Sequence, residues 1–189
     1  MALNAFKEVK NSAGQYGAIS LYYYAHLNYT LGSLNESKSA FHRLKYQPEF
    51  TTIAPYYIVQ INHKQGLYDS VIAYAPSVLD TAELGNYNDI VHLLGDSYFK
   101  LNQYKEAAKY LLIFDKRAKT TRIDDYQLGF SLMNTNRGEE AITFLERAAR
   151  FDDSLGQTAM YHIANCYLNA DKMLPARNAF ERVSKMTAK

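Results

Sequence analysis

Five histidines, one cysteine and three pairs of adjacent acids are the residues of this chain that could carry chemistry. His26, His63 and His92 are too far apart in sequence for the close ligand spacing of a zinc site, and His42 and His162 fall on other helical faces. Cys166 sits between Ala164 and Tyr167 in an apolar stretch with no His and carboxylate set beside it. A buried, inert thiol is expected there rather than a nucleophile. Asp124-Asp125, Glu139-Glu140 and Asp152-Asp153 each precede or open a helical pattern, where negative charge complements the helix dipole. The segment Gly14-Gln-Tyr-Gly17 has the wrong spacing for a phosphate loop and no following Lys-Ser/Thr. No catalytic residue, metal or cofactor is expected, and the chain does not read as an enzyme.

What the remaining residues can do depends on the elements that carry them. The chain has 189 residues, 48% of them apolar, with no long Pro, Ser or Gly tract, so a sizeable core is expected. A net charge of +2 with well-mixed signs gives no basic run, and no nucleic-acid partner is expected. No apolar run approaches the ~18 residues that would span a bilayer, so direct membrane insertion is not expected. The aromatic content is 17 Tyr and 9 Phe without Trp. Tyr suits half-buried positions where the ring packs and the hydroxyl still finds a partner.

The stretch LGDSYFKLNQYKEAAKYLL, residues 94–112, places Gly95 inside a helical pattern, at a cost of roughly 1 kcal/mol relative to Ala. Sliding this stretch along the chain brings small or compact residues into register at 25, 59, 95, 129 and 164. Ser37, Val71, Ala107, Ala141 and Ala176 fall into a second register. Each unit holds two apolar-periodic segments joined by a short polar link, such as Asn102-Gln103 or Asn136-Arg137-Gly138, which suits antiparallel helix pairs. No segment alternates long enough for a strand. The pattern predicts an all-α solenoid, with a half repeat at 2–11 and repeats at about 18–51, 52–87, 88–121, 122–156 and 157–189. Gly95 is expected where the second helix, near Ala107, comes too close for a side chain. Pro76 predicts a kink or break near Ala75 and a longer link through Leu84-Gly85-Asn86.

The order of Leu94, Gly95, Tyr98, Tyr104, Ala107 and Leu111 resembles the tetratricopeptide repeat, a 34-residue helix-turn-helix unit. Leu128, Gly129, Ala141, Leu145 and Ala148 repeat it, as do Ile163, Ala164, Tyr167, Ala176 and Phe180. The resemblance implies an α-α superhelix that serves as a protein-interaction scaffold, its concave face lined by the first helix of each pair. Carried over residue by residue, that face holds Tyr22, Tyr56, His92, Tyr126 and Tyr161. Beside them stand His26, Gln60, Asp96, Phe130 and Asn165, then Tyr29, His63, Phe99, Met133 and Leu168. The implied partner is a peptide or protein segment, and Asp96 is expected to face it. The same residues also suit plain packing between repeats, and both readings stay open. The Lys and Asn arrangement that clamps a terminal carboxylate in co-chaperone members is missing, with only Lys64 and Lys100 near the rim.

Two further readings remain: self-association through edge helices, and an RNA-binding helical repeat, which the near-neutral charge disfavours. The pattern begins on a half repeat and ends without a polar capping helix, which suggests a segment of a longer array. The look of such arrays resembles those of large bacterial envelope proteins. That implies a periplasmic or envelope location for a piece of a longer precursor and a cytoplasmic one otherwise.

Overall fold

The computed structural model describes residues 2–12, 14–81 and 84–186. Among them the chain forms α-helices and one 3-10 turn, Pro48–Phe50, with no strand. The helices are α1 (Ala2–Val9), α2 (Gln15–Thr30), α3 (Leu34–Leu44), α4 (Ile53–Lys64), α5 (Tyr68–Leu79) and α6 (Leu84–Lys100). They continue as α7 (Tyr104–Arg117), α8 (Arg122–Met133), α9 (Gly138–Ala148), α10 (Ser154–Asn169) and α11 (Met173–Lys185).

One backbone device ends the first helix of every pair. Gly32, Gly66, Asn102, Asn136 and Asp171 all adopt positive φ, between 54° and 80°. The residue after each donates its N–H five positions back: Ser33 to Asn28, Leu67 to Asn62, Gln103 to Tyr98, Arg137 to Leu132 and Lys172 to Tyr167, at 2.9–3.0 Å. The positive-φ residue itself donates three positions back, Asn102 to Phe99 at 2.9 Å, for example. This bonding pattern satisfies carbonyls that a helix end leaves open and reverses the chain within a few residues. Gly accepts the conformation freely and Asn or Asp tolerates it, which accounts for the residue types found there.

The chain divides into two compact units, Met1–Leu93 and Leu94–Lys189. In the first, α1 packs on α2, α2 on α3, α3 on α4 and α4 on α5. Leu21, Ala25, Phe41, Leu44, Ile58 and Ile61 form its core, and the Phe41 and Tyr57 rings stack with centroids 4.5 Å apart. Ser37, fully buried, donates its hydroxyl to the Ala25 carbonyl at 2.8 Å. In the second unit α7 packs on α8, α8 on α9, α9 on α10 and α10 on α11. Leu111, Leu128, Leu132, Leu145, Ile163, Ala164 and Cys166 lie in its core.

Gly95 marks a close approach between helices, but its partner is Leu111 rather than Ala107. A Cβ at 95 would stand 2.8 Å from Leu111 Cγ and Cδ2 and 3.2 Å from its backbone nitrogen. Gly129 repeats this against Leu145, at 2.7 Å from Cγ. The contact lies one turn beyond the expected residue because a helical side chain covers the turn N-terminal to its own Cα. In the first unit, at the same register, the bulkier Val59 is matched by Ala75, and both are fully buried.

Pro76 does not break its helix. α5 runs unbroken from Tyr68 to Leu79 with Pro76 inside it. Only one turn follows the proline, and its neighbours Ala75 and Val78 are buried, so packing outweighs the lost hydrogen bond. Leu84-Gly85-Asn86 is not a link either but the opening turn of α6. α6 spans 17 residues, close to the 16 of α2 and of α10, where α4 spans 12.

Two glycines of one helix should therefore answer substitution with opposite signs. Gly95→Val is expected to lower unfolding free energy by about 1–3 kcal/mol through overpacking against Leu111. Gly85→Ala, with nothing within 4 Å of its would-be Cβ, is expected to raise it by about 0.4–1 kcal/mol. Urea midpoints at constant m-value measure both.

Candidate functional site

Within the first unit, α2, α4 and the middle of α6 carry seven of the residues assigned to a binding face. Tyr22, His26, Tyr29, Tyr56, Gln60, His63 and His92 are all half-buried. Their rings are fixed against one another and against neighbours the sequence reading did not single out. Tyr22 stacks on Phe50 with centroids 5.3 Å apart, and Tyr57 meets both His26 and Tyr29 edge-on at 5.6 and 5.3 Å. Tyr29 Oη donates to Gln60 Oε1 at 2.6 Å, and Tyr56 Oη donates to Asp89 Oδ2 at 2.7 Å. Burial first, and then the Asp89 contact, hold the Tyr56 hydroxyl well above the usual phenol range. Tyr57 is pushed up to about 12 by burial first and the neighbouring Tyr22 second. Both phenols stay protonated at neutral pH, and Tyr56 serves as a donor to Asp89. A cleft of about 240 Å³ is lined by Tyr29, Gln60, His63, Lys64, Asp89, His92 and Leu93.

Within the second unit the assigned residues divide. Phe99, Tyr126, Phe130, Met133 and Asn165 are half-buried, and Tyr161 and Leu168 are exposed. Phe130 sits among Phe99, Tyr104, Tyr126 and His162, with centroid separations of 5.9, 5.4, 5.8 and 5.0 Å. Asp96 does not face an open groove: it is only 9% exposed and accepts from Gln127 Nε2 at 2.6 Å. The position suits a buried polar bridge between α6 and α8, and the carboxylate is engaged by the protein itself.

His162 lies where the sequence reading did not put it. It lies against Tyr126 and Phe130, not on a separate face, with Nε2 3.3 Å from Tyr126 Oη. Its Nδ1 is buried without a hydrogen-bond partner. His162 of α10 reaches the α8 rings, whereas Tyr161 beside it meets Phe180 of α11 edge-on at 5.9 Å. A Tyr-His pair at 161–162 was the available signal.

The remaining candidates are structural. Asp124 caps α8, bonding the backbone N–H of Thr121 at 2.7 Å, while Thr121 Oγ1 accepts from the Asp124 N–H. Asp125 is 1% exposed and bonds Arg147, which also reaches Asp115 Oδ1 and Thr120 Oγ1 at 2.6 Å each. Asp153 caps α10 through the Gly156 N–H at 2.8 Å and pairs with Arg122 at 2.7 Å, which holds its carboxyl well below the usual range. Gly17 has a structural reason as well, since a Cβ there would stand 1.9 Å from the Ser12 carbonyl oxygen. Burial pushes the Cys166 thiol up. Among the described residues no group of three or more His, Cys, Asp and Glu could hold a metal. No described helix is long and apolar enough to cross a membrane.

Tetratricopeptide-repeat profiles match residues 89–112 and 158–185. The fold is similar to that of YrrB, a TPR protein with an unusual peptide-binding site, at 17% identity and a TM-score of 0.76, covering 98% of this chain and 92% of that one. MamA of AMB-1 is similar at 16% identity and a TM-score of 0.74, over 90% of this chain and 98% of that one. MamA from Desulfovibrio magneticus RS-1 gives 17% identity and 0.68, over 89% and 94%. No curated protein sequence matches.

Burial lowers the pKa of His162, so the folded unit resists a proton that the unfolded chain takes up near pH ~6.5. Stability from this residue is then present above that value and lost as pH falls through it toward the folded pKa. Thermal midpoints between pH 7.5 and 5.5 should decline in the parent, and His162→Gln should flatten the decline.

Proposed function

The chain is a tetratricopeptide-repeat protein, and from that premise we propose that it is a non-catalytic scaffold that binds an extended peptide segment of a protein partner. The binding surface is the aromatic stripe of each unit: Tyr22, His26, Tyr29, Tyr56, Gln60, His63 and His92 in the first, Phe99, Tyr126, Phe130, Met133, Tyr161, Asn165 and Leu168 in the second. Asp96 is set aside as a bridge to Gln127.

The observation that carries this reading is the mutual fixation of the rings. Phe130 is held by four aromatic neighbours, and Tyr29 by Tyr57 and the Gln60 amide. Rings already ordered lose little entropy when a ligand covers them, so their contact area goes into affinity. Tyr161, at 48% exposure, and Leu168, at 42%, offer apolar surface on the same face of α10. YrrB, similar in fold, has a peptide-binding site, which supports the same use of the fold here.

A second reading, self-association, is favoured by one observation. Met173 and Leu174, in the opening turn of α11, are 60% and 66% exposed. Concentration-dependent sedimentation abolished by Leu174→Glu would support it.

Dodecapeptides selected from a random library on the full chain provide the test. Tyr56→Ala and Tyr126→Ala, one in each unit, are expected to weaken the selected peptides by about tenfold or more where they contact the altered stripe. Circular dichroism must show the helical content retained. Unchanged affinity in both folded variants would remove the groove reading.

A further inference from the structure

The cleft of the first unit sets Gln60, a residue of the stripe, beside a cation that the general groove reading does not use. Lys64 Nζ lies 4.3 Å from the centroid of the Tyr29 ring, and among the described residues it forms no ion pair with a carboxylate. The same Tyr29 donates its hydroxyl to Gln60 Oε1 at 2.6 Å. That bond occupies the amide oxygen, so the amide group offers its N–H donors to the cleft. A single tyrosine thus holds a cation over its face and orients an amide through its hydroxyl. Asp89, the one carboxylate lining this cleft, already accepts from Tyr56 at 2.7 Å. His63 and His92 complete the polar lining. The arrangement is an ammonium and an amide donor at one tyrosine, with Asp89 bound to Tyr56 and not ion-paired with Lys64.

We propose that this cleft is a carboxylate subsite: it receives the side chain of a Glu or Asp within the extended peptide. Lys64 pairs with the charge, Gln60 donates to it, and Tyr29 positions both. The inference rests on the groove reading and names the chemistry of its partner. A side-chain carboxylate is favoured over a chain terminus because the stripe continues past the cleft. Tyr22 and His26 extend it along α2, so a peptide lying on the stripe crosses Tyr29 rather than ending there. A charge-assisted contact of this kind carries specificity as well as affinity.

The probes are the dodecapeptides selected on the full chain, resynthesised with each acid replaced by its amide and, separately, with an amidated C-terminus. One acid-to-amide replacement is expected to weaken binding to the parent about tenfold and to Lys64→Ala less than about twofold. Lys64→Glu, a substitution at an exposed side chain, should turn the preference at that peptide position toward Lys. Tyr29→Phe, which keeps the ring and removes the hydroxyl, should reduce the acid preference while retaining most of the apolar contribution. If all acid-to-amide replacements are tolerated equally by parent and Lys64→Ala, yet Tyr56→Ala or Tyr126→Ala still weakens binding, the subsite is wrong and the groove stands. If neither kind of change matters, both readings fall. A loss confined to the amidated C-terminus would overturn the side-chain assignment in favour of a terminal carboxylate.

Discussion

The structure depends on how closely two helices of a pair can approach. At Gly95 and Gly129 the partner leucine occupies the volume that a Cβ would need, and its backbone nitrogen is barely farther off. Dispersion and burial both reward that proximity, since a void at the contact would forfeit neighbours on every side. The same register holds Ala25 and Phe41, or Val59 and Ala75, all fully buried, so a small residue stands on one side of the contact in each pair. Once the two helices are in contact, their outer faces are fixed. The stripe of rings on α2 and α4, or on α8 and α10, is a consequence of that packing as much as of its own side chains.

Polar groups join one helix pair to the next in the second unit. Arg122 donates to the Ala148 carbonyl at 2.7 and 2.9 Å and to both oxygens of Asp153. It thus ties the start of α8 to the end of α9 and the start of α10. Arg147 gathers Asp115, Thr120 and buried Asp125 around one guanidinium. Asp125, only 1% exposed, must be paired, because a lone charge left buried costs several kcal/mol. These bonds therefore define one arrangement of neighbouring helices. Asp125 and Asp153, each one of a pair of adjacent acids, are committed to this task.

The fold was legible because recurrence is a strong signal: small residues at 25, 59, 95, 129 and 164 and polar links between them pin the helix pairs. What escaped was anything decided by direction in three dimensions. Gly95 was recognisable as a contact point, but the lean of helical side chains makes its partner Leu111 instead of Ala107. Asp96 sits beside Gly95 in sequence, and only the structure places Gln127 against it. His162 belongs with Tyr126 and Phe130, although its sequence position suggests another face. Pro76 illustrates the weight of context, since buried Ala75 and Val78 keep a helix intact through a residue that disfavours it. The aromatic stripe itself was assigned by resemblance, and the ring-to-ring contacts explain why those positions hold Tyr and Phe.

The five positive-φ turns have a consequence for how the chain acquires its shape. Each reversal is closed by backbone bonds between residues three and five apart, with no help from distant sequence. Every helix pair can thus form early and alone, at a small loop-closure cost, and dock afterwards onto whichever neighbour is ready. Such a chain has many equivalent starting points for folding rather than one obligatory nucleus. Contacts this local in sequence are the kind that favour rapid folding.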